Sequence, residues 1–173
     1  MPRFLSARIQ IRVSLTDKRH VQTKAGQYLT FRVARVEFAI PAARLRGILP
    51  ASNLQPVAPS FRFPGIFGNW SCGFASMHGR DIPVVDLRGQ LNLPHGTHGR
   101  HPCIIVVDIP TLEGTRQVGF IADRVANIIH ARERDFIRGR LRLGERSLRV
   151  LDPKVLITSS PASAAAEPAE LSL

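Results

Sequence analysis

Three histidines, His95, His98 and His101, recur at intervals of three in one loop of the sequence. Imidazoles so spaced could converge on a metal ion. The loop also holds Gly96 and Gly99 and no carboxylate, so a solvated loop without metal is the expectation. Thiol chemistry needs a thiolate and a positioned base. Cys103 instead opens an apolar run, where cysteine behaves as a small hydrophobe, and nothing beside Cys72 suggests a base. No glycine-rich phosphate loop, pair of catalytic carboxylates or Ser-His-Asp grouping is readable. The residues therefore imply neither an enzyme nor a cofactor, and no small-molecule substrate.

The densest charge is basic. Seven arginines fall between Arg132 and Arg149, and Arg138, Arg140 and Arg142 would project from one face of a strand. A nucleic-acid-binding barrel would use such a stripe, normally with aromatics interleaved for stacking. Only Phe136 lies nearby, and Glu133, Asp135 and Glu145 dilute the field, so a solvated strand face is the expectation and nucleic acid the lesser alternative. The net charge of +11 is nearly all arginine, with lysine only at positions 18, 24 and 154. Such charge attracts polyanions, but an arginine bias can also follow genomic base composition.

The 173 residues are 44% hydrophobic, enough for one domain with a substantial core. Two cysteines are too few for a disulfide framework and suit a reducing compartment. No apolar run approaches membrane-spanning length. The basic start, Met1 to Leu5, is not followed by the apolar run and cleavage site of a secretory signal. A cytoplasmic protein is the expectation.

The elements that must position these residues are short strands. Residues 8–15 alternate strictly, but the polar stretch 17–26 follows. Residues 1–26 could be an extra strand, a disordered basic arm, or sequence added by a misplaced start codon. Tyr28 to Ile40 holds two alternating runs about a turn at Ala34-Arg35, and Pro41 to Arg46 reads as a helical turn. Residues 52–68 read as a proline-rich loop with an extended segment at Gln55–Val57. Phe61, Phe63, Phe67 and Trp70 there are expected to fold back on a core. Gly73 to Leu87 reads as strand, tight turn at His78-Gly79, strand, and a helical turn capped by Asp86. Pro83, lacking an N–H, is expected at a sheet edge or bulge. Cys103 to Asp108 has the continuous apolar pattern of a strand buried on both faces. Further strands follow at Gln117–Asp123, Val125–Ile129, Arg138–Leu143 and Ser147–Leu151. The Ser/Ala/Pro-rich stretch 159–173 reads as a disordered tail. Some ten short strands with regular turn signals predict an all-β barrel or sandwich over residues 27–158.

The order of these segments resembles the CheW-like domain, the adaptor module of bacterial chemosensory arrays. Leu45-Arg46-Gly47-Ile48 stands where the family has a valine-arginine-glutamate-isoleucine-like segment. Gly73, Ser76-Met77-His78-Gly79 and Ile82-Pro83-Val84-Val85-Asp86-Leu87-Arg88 match its glycine, its asparagine-leucine-arginine-glycine turn and its isoleucine-proline-valine-x-aspartate-leucine-arginine strand. Val118-Gly119 through Asp123 and Val125, then Gly139, Gly144-Glu145 and Leu151-Asp152, complete the pattern over residues 28–157.

The resemblance implies two small five-stranded SH3-like barrels sharing strands, and a non-enzymatic adaptor. Its partners would be a CheA-type histidine kinase, docked on one barrel face, and a methyl-accepting chemoreceptor, whose helical hairpin tip enters a groove between the barrels. Membrane contact would be indirect, through the receptor. By position, partner-binding residues would be Leu45, Arg46 and Ile48, His78 and Arg80, and Val125, Asn127 and Ile128, with Gly73 and Gly79 structural. The chain departs from the pattern at His78, in place of arginine, and at Gly47, in place of glutamate. The loop between Ile129 and Arg138 is also short. These changes leave room for a scaffold in a pilus or twitching-motility system rather than flagellar chemotaxis.

Overall fold

The run Ile104 to Ile109 is fully buried because it divides two cores. On its strand, β7 (Cys103–Thr111), Ile105, Val107 and Ile109 point into a large central cluster, while Ile104 and Val106 point into a second, smaller one. Side chains on a strand alternate faces, so a continuous apolar run is what a strand between two cores requires.

The computed structural model describes residues 24–58 and 71–154. The expectations for residues 8–15, for the aromatics at 61–70 and for the tail at 159–173 lie outside them. The described residues form two sheets of six strands each. The first runs in the order β10 (Phe136–Ile137), β11 (Arg140–Leu143), β12 (Arg146–Val150), β2 (Val36–Pro41), β1 (Gly26–Val33), β9 (Arg124–Ala131). The second runs in the order β3 (Leu45–Pro50), β7, β8 (Gly114–Ala122), β6 (Arg80–Val85), β5 (Ser71–Met77), β4 (Leu54–Pro56). Each has one strand more than the five expected; the additions are the short edge strands β10 and β4.

Three apolar clusters hold this arrangement. The central one lies between the sheets, with Phe31 stacked on Phe38 at 5.5 Å and tilted against Phe120 at 5.2 Å. The curl of the second sheet encloses Met77, Ile82, Val84, Ile104, Val106 and Ile121. Tyr28, Ala39, Leu141 and Leu148 fill the curl of the first. Buried side chains of this size contribute roughly 1.5–3 kcal/mol each before chain entropy is counted. Each sheet thus wraps a core of its own, as two small barrels do, and the chain passes between them twice. It crosses from β2 to β3 through a 3₁₀ turn at Ala42–Arg44, and from β8 to β9 at Asp123, whose N–H donates to the carbonyl of Arg32 at 2.9 Å.

The structure corrects two local expectations. The helical turn after Pro41 stops at Arg44, and Leu45 and Arg46 already belong to β3. Pro83 lies on an interior strand, β6, rather than at an edge. It is tolerated because the parallel pairing of β6 with β8 begins only at Val84, which leaves position 83 outside that ladder. The β5–β6 hairpin turns at His78 and Gly79 as expected. Both have positive φ, 52° and 74°, which makes a type I′ turn and explains a residue as tolerant of that region as histidine. Asp86 caps helix α1 (Leu87–Gln90) by accepting from the Arg88 N–H at 2.9 Å.

Candidate partner-docking site

A groove of about 780 Å³ lies where the two sheets meet. Its apolar surface comes from Ile48 on β3, Cys103 on β7 and Val125 on β9, three strands distant in sequence. Ile48 is 43% exposed because it falls on the outward phase of β3, whose burial alternates along the strand. Val125 is half-buried and packs on the central core from the groove side.

One wall of the groove is the loop containing Gly99, Arg100 and His101. A buried polar cluster fixes this wall. Arg88 Nη2 donates to both oxygens of Asp123 at 2.8 Å and lies 3.3 Å from the Thr97 carbonyl, and Nη1 donates to the Gly96 carbonyl. His98 Nδ1 lies 3.1 Å from Asp123 Oδ1, and the Ala34 N–H donates to Oδ2 at 2.7 Å. Burial pushes the Asp123 carboxyl up, but the hydrogen bonds from Arg88, His98 and Ala34 outweigh it and hold the group below the usual aspartate value. Arg88 and Asp123 are 3% and 7% exposed, so the pair depends on the bonds between the two side chains and to the loop carbonyls; among the described residues the buried Arg88 Nε–H has no partner. A Cβ at Gly99 would lie 2.9 Å from the Asp123 carbonyl, so the loop's close approach requires glycine there.

The residues singled out in the sequence divide into groups. Ile48 and Val125 meet in the groove. Arg80 instead lines a separate cleft of about 400 Å³ on the second sheet, beside Asp81, Asp108 and Arg116. Arg46 reaches that cleft through an ion pair with the buried Asp108 carboxylate, a structural role beside any docking one. Leu45 packs against the central core. His78 is exposed at the hairpin tip. Asn127 and Ile128 lie on β9, and Ile128 is 55% exposed. The Thr30 hydroxyl donates to the Asn127 carbonyl at 2.9 Å and accepts from its N–H at 3.1 Å, filling a bulge in the β1–β9 ladder. Of the two glycines, Gly73 is required by space, since a Cβ there would sit 2.2 Å from the Gln55 carbonyl oxygen; Gly79 is required by its φ.

The chemistry-bearing residues are otherwise occupied. His98 bonds Asp123, His95 is exposed, and among the described residues no three His, Cys, Asp or Glu side chains are grouped to hold a metal. Both cysteines are free thiols. Burial and then the Asp86 charge push the Cys72 thiol up to about 12, and burial likewise raises that of Cys103. Of the arginine stripe, Arg140 and Arg142 lie on the outward face of β11, with Arg140 directly opposite Arg149 of β12, but Arg138 falls in the β10–β11 turn at φ 51° and not on the strand. Phe136 is turned into a ring contact with Tyr28, at 5.4 Å, rather than interleaved with the stripe.

The sequence matches the family model of the CheW-like domain over residues 27–160. The chain belongs to the CheW-like domain family. Its fold is similar to the crystal structure of the scaffolding protein TtCheW from Thermoanaerobacter tengcongensis, at 16% identity and a TM-score of 0.61, covering 76% of this chain and 92% of that one. No curated protein matches. Among the described residues, no helix of this CheW-like chain is long and apolar enough to cross a membrane. At its departure, Gly47, methionine is laid over glycine: a Cβ there would lie 2.9 Å from the Met77 sulfur. Asp123 and Arg88 stand in the matched motifs without a role legible there; two opposite charges in otherwise apolar segments were the available signal. Arg32, Arg100 and Arg124 around the groove carried no sequence signal, because arginine is common throughout the chain.

Proposed function

We propose that the chain is a non-enzymatic adaptor that couples a methyl-accepting chemoreceptor to a CheA-type histidine kinase in the cytoplasm, acting by binding alone and without a cofactor. Residues 27–158 would form the adaptor domain, flanked by a basic arm at 1–26 and a tail at 159–173. The observation that carries this reading is the groove itself. Family membership suggests an adaptor, and here partly exposed apolar residues from separate strands, Ile48 and Val125, share one concave surface at the sheet junction. An apolar centre with a polar rim is the anatomy of a protein-docking site. The receptor tip would occupy this groove. The kinase would dock on the second sheet around Arg80 and the Arg46–Asp108 pair, with His78 at the hairpin tip.

Titration of the protein with a chemoreceptor cytoplasmic domain and, separately, with a CheA-type regulatory domain tests the assignment. Ile48→Asp should weaken receptor binding and spare kinase binding, and Arg80→Glu should do the reverse. Equal effects of both variants on both partners would sink the division of surfaces.

A further inference from the structure

The rim of the junction groove is charged in one sense. Arg32 and Arg124 stand directly opposite each other across the β1–β9 pairing, and Arg100 projects from the loop wall. All three are exposed, and none has a carboxylate within ion-pair distance among the described residues. Two nearby acids are already engaged. Glu37, which faces Arg32 in the β1–β2 register, is held by Arg146 through contacts of 2.5 and 3.0 Å. Asp123, the one acid lining the groove among the described residues, is turned to Arg88, His98 and the Ala34 N–H. Like charges placed opposite one another on a sheet are unfavourable, and Glu37, already bonded to Arg146, offsets Arg32 only in part, so among the described residues the free protein holds a net cationic rim about an apolar floor.

We infer that the groove selects a protein segment carrying an apolar side chain between carboxylates, with Arg32, Arg100 and Arg124 as its specificity-determining residues. This rests on the groove being a docking site, as argued above, and adds the chemistry of what it takes. The apolar floor of Ile48 and Val125 suits a side chain rather than a sugar-phosphate chain, and among the described residues His101 is the one ring lining the groove. Electrostatic complementarity of this kind sets association rate and partner choice more than total affinity.

Three synthetic helical peptides of identical apolar stripe, flanked by Glu, Gln or Lys, test this against the full chain by methyl NMR of Ile48 and Val125. The Glu peptide should shift both methyls and bind about tenfold more tightly than the Gln peptide at low salt, as two or three rim ion pairs allow. The difference should shrink at high salt, and the Lys peptide should not bind. An Arg100→Glu/Arg124→Glu double variant, at exposed positions where folding should be kept, should reverse the order of the Glu and Lys peptides. Equal binding of Glu and Gln peptides, or no response of the groove methyls to any of them, would overturn the inference. So would tighter occupation of the same groove by a single-stranded oligonucleotide. Neither receptor nor kinase is needed, so failure here leaves the coupling assignment standing, and failure of receptor binding leaves the peptide result standing.

Discussion

Asp123→Asn is the most informative single change to the fold around the groove. The side chain keeps its shape and loses its charge. Arg88, 3% exposed, then has no counter-ion, although the carbonyls of Gly96 and Thr97 still accept from it. Removing one member of a buried pair costs about 3–5 kcal/mol. The two surviving carbonyl contacts argue for the lower end, about 3 kcal/mol. With a urea m-value of about 2 kcal/mol/M, the unfolding midpoint should fall by about 1.5 M. The pH dependence has a definite sign. The folded Asp123 carboxyl titrates below its unfolded value, so its stabilisation is fully present above an unfolded aspartate's pKa of about 3.9 and is lost as pH falls through the lower folded value. The gap between wild type and variant should be constant from pH 7 to 5 and close below about pH 4. Urea titrations of both proteins across that range supply the numbers. A loss under about 1 kcal/mol at pH 7, or a gap that persists unchanged into strong acid, would refute the account of this cluster as a charge-matched tie between the loop and the two sheets.

Gly73→Ala should destabilise severely, because its Cβ would lie 2.2 Å from the Gln55 carbonyl oxygen and would part β4 from β5; thermal unfolding by circular dichroism would read this. Gly79→Val, at φ 74° with open space around it, should cost about 2 kcal/mol through backbone strain alone and weaken partner binding through the deformed hairpin. Normal binding by Gly79→Val would show that the hairpin does not present the contact. Arg46→Ala should cost about 1 kcal/mol in chemical denaturation, because Asp108 is 8% exposed and loses its partner while the arginine itself is largely in solvent. Both cysteines should resist iodoacetamide at pH 8 in the native state and react after unfolding, Cys72 being the slower in the folded protein.

Much of the fold was legible because it is written in local patterns. The run Cys103–Asp108 announced a strand buried on both faces, and His78-Gly79 announced a tight hairpin turn. Pro83 does fall where a ladder position is left unpaired, but on an interior strand and not an edge, because β6 pairs with β8 only from Val84. The helical turn at 41–46 was overextended because an Ala-Arg-Leu-Arg run has helical propensity, while Leu45 is drawn into pairing with Val107 of β7. The groove was only half legible. Ile48 and Val125 could be named from the family pattern, but their proximity is a tertiary fact that no local pattern encodes. The arginine rim was invisible for a compositional reason, since these three guanidiniums cannot be told from the eighteen others until their neighbours are known. His98 shows the converse. Its three-residue spacing with His95 and His101 suggested a shared ligand, but the side chain has its own partner in a carboxylate 25 residues along the chain.

The measurement that bears most directly on the central assignment is isothermal titration of a chemoreceptor cytoplasmic domain with the wild-type protein and with Ile48→Asp, alongside their thermal unfolding. The groove account predicts saturable binding by the wild type and at least a tenfold loss in the variant, with melting temperatures within a few degrees because the site is half in solvent. Undiminished binding by a folded Ile48→Asp would contradict it, and would place the receptor contact elsewhere on the molecule.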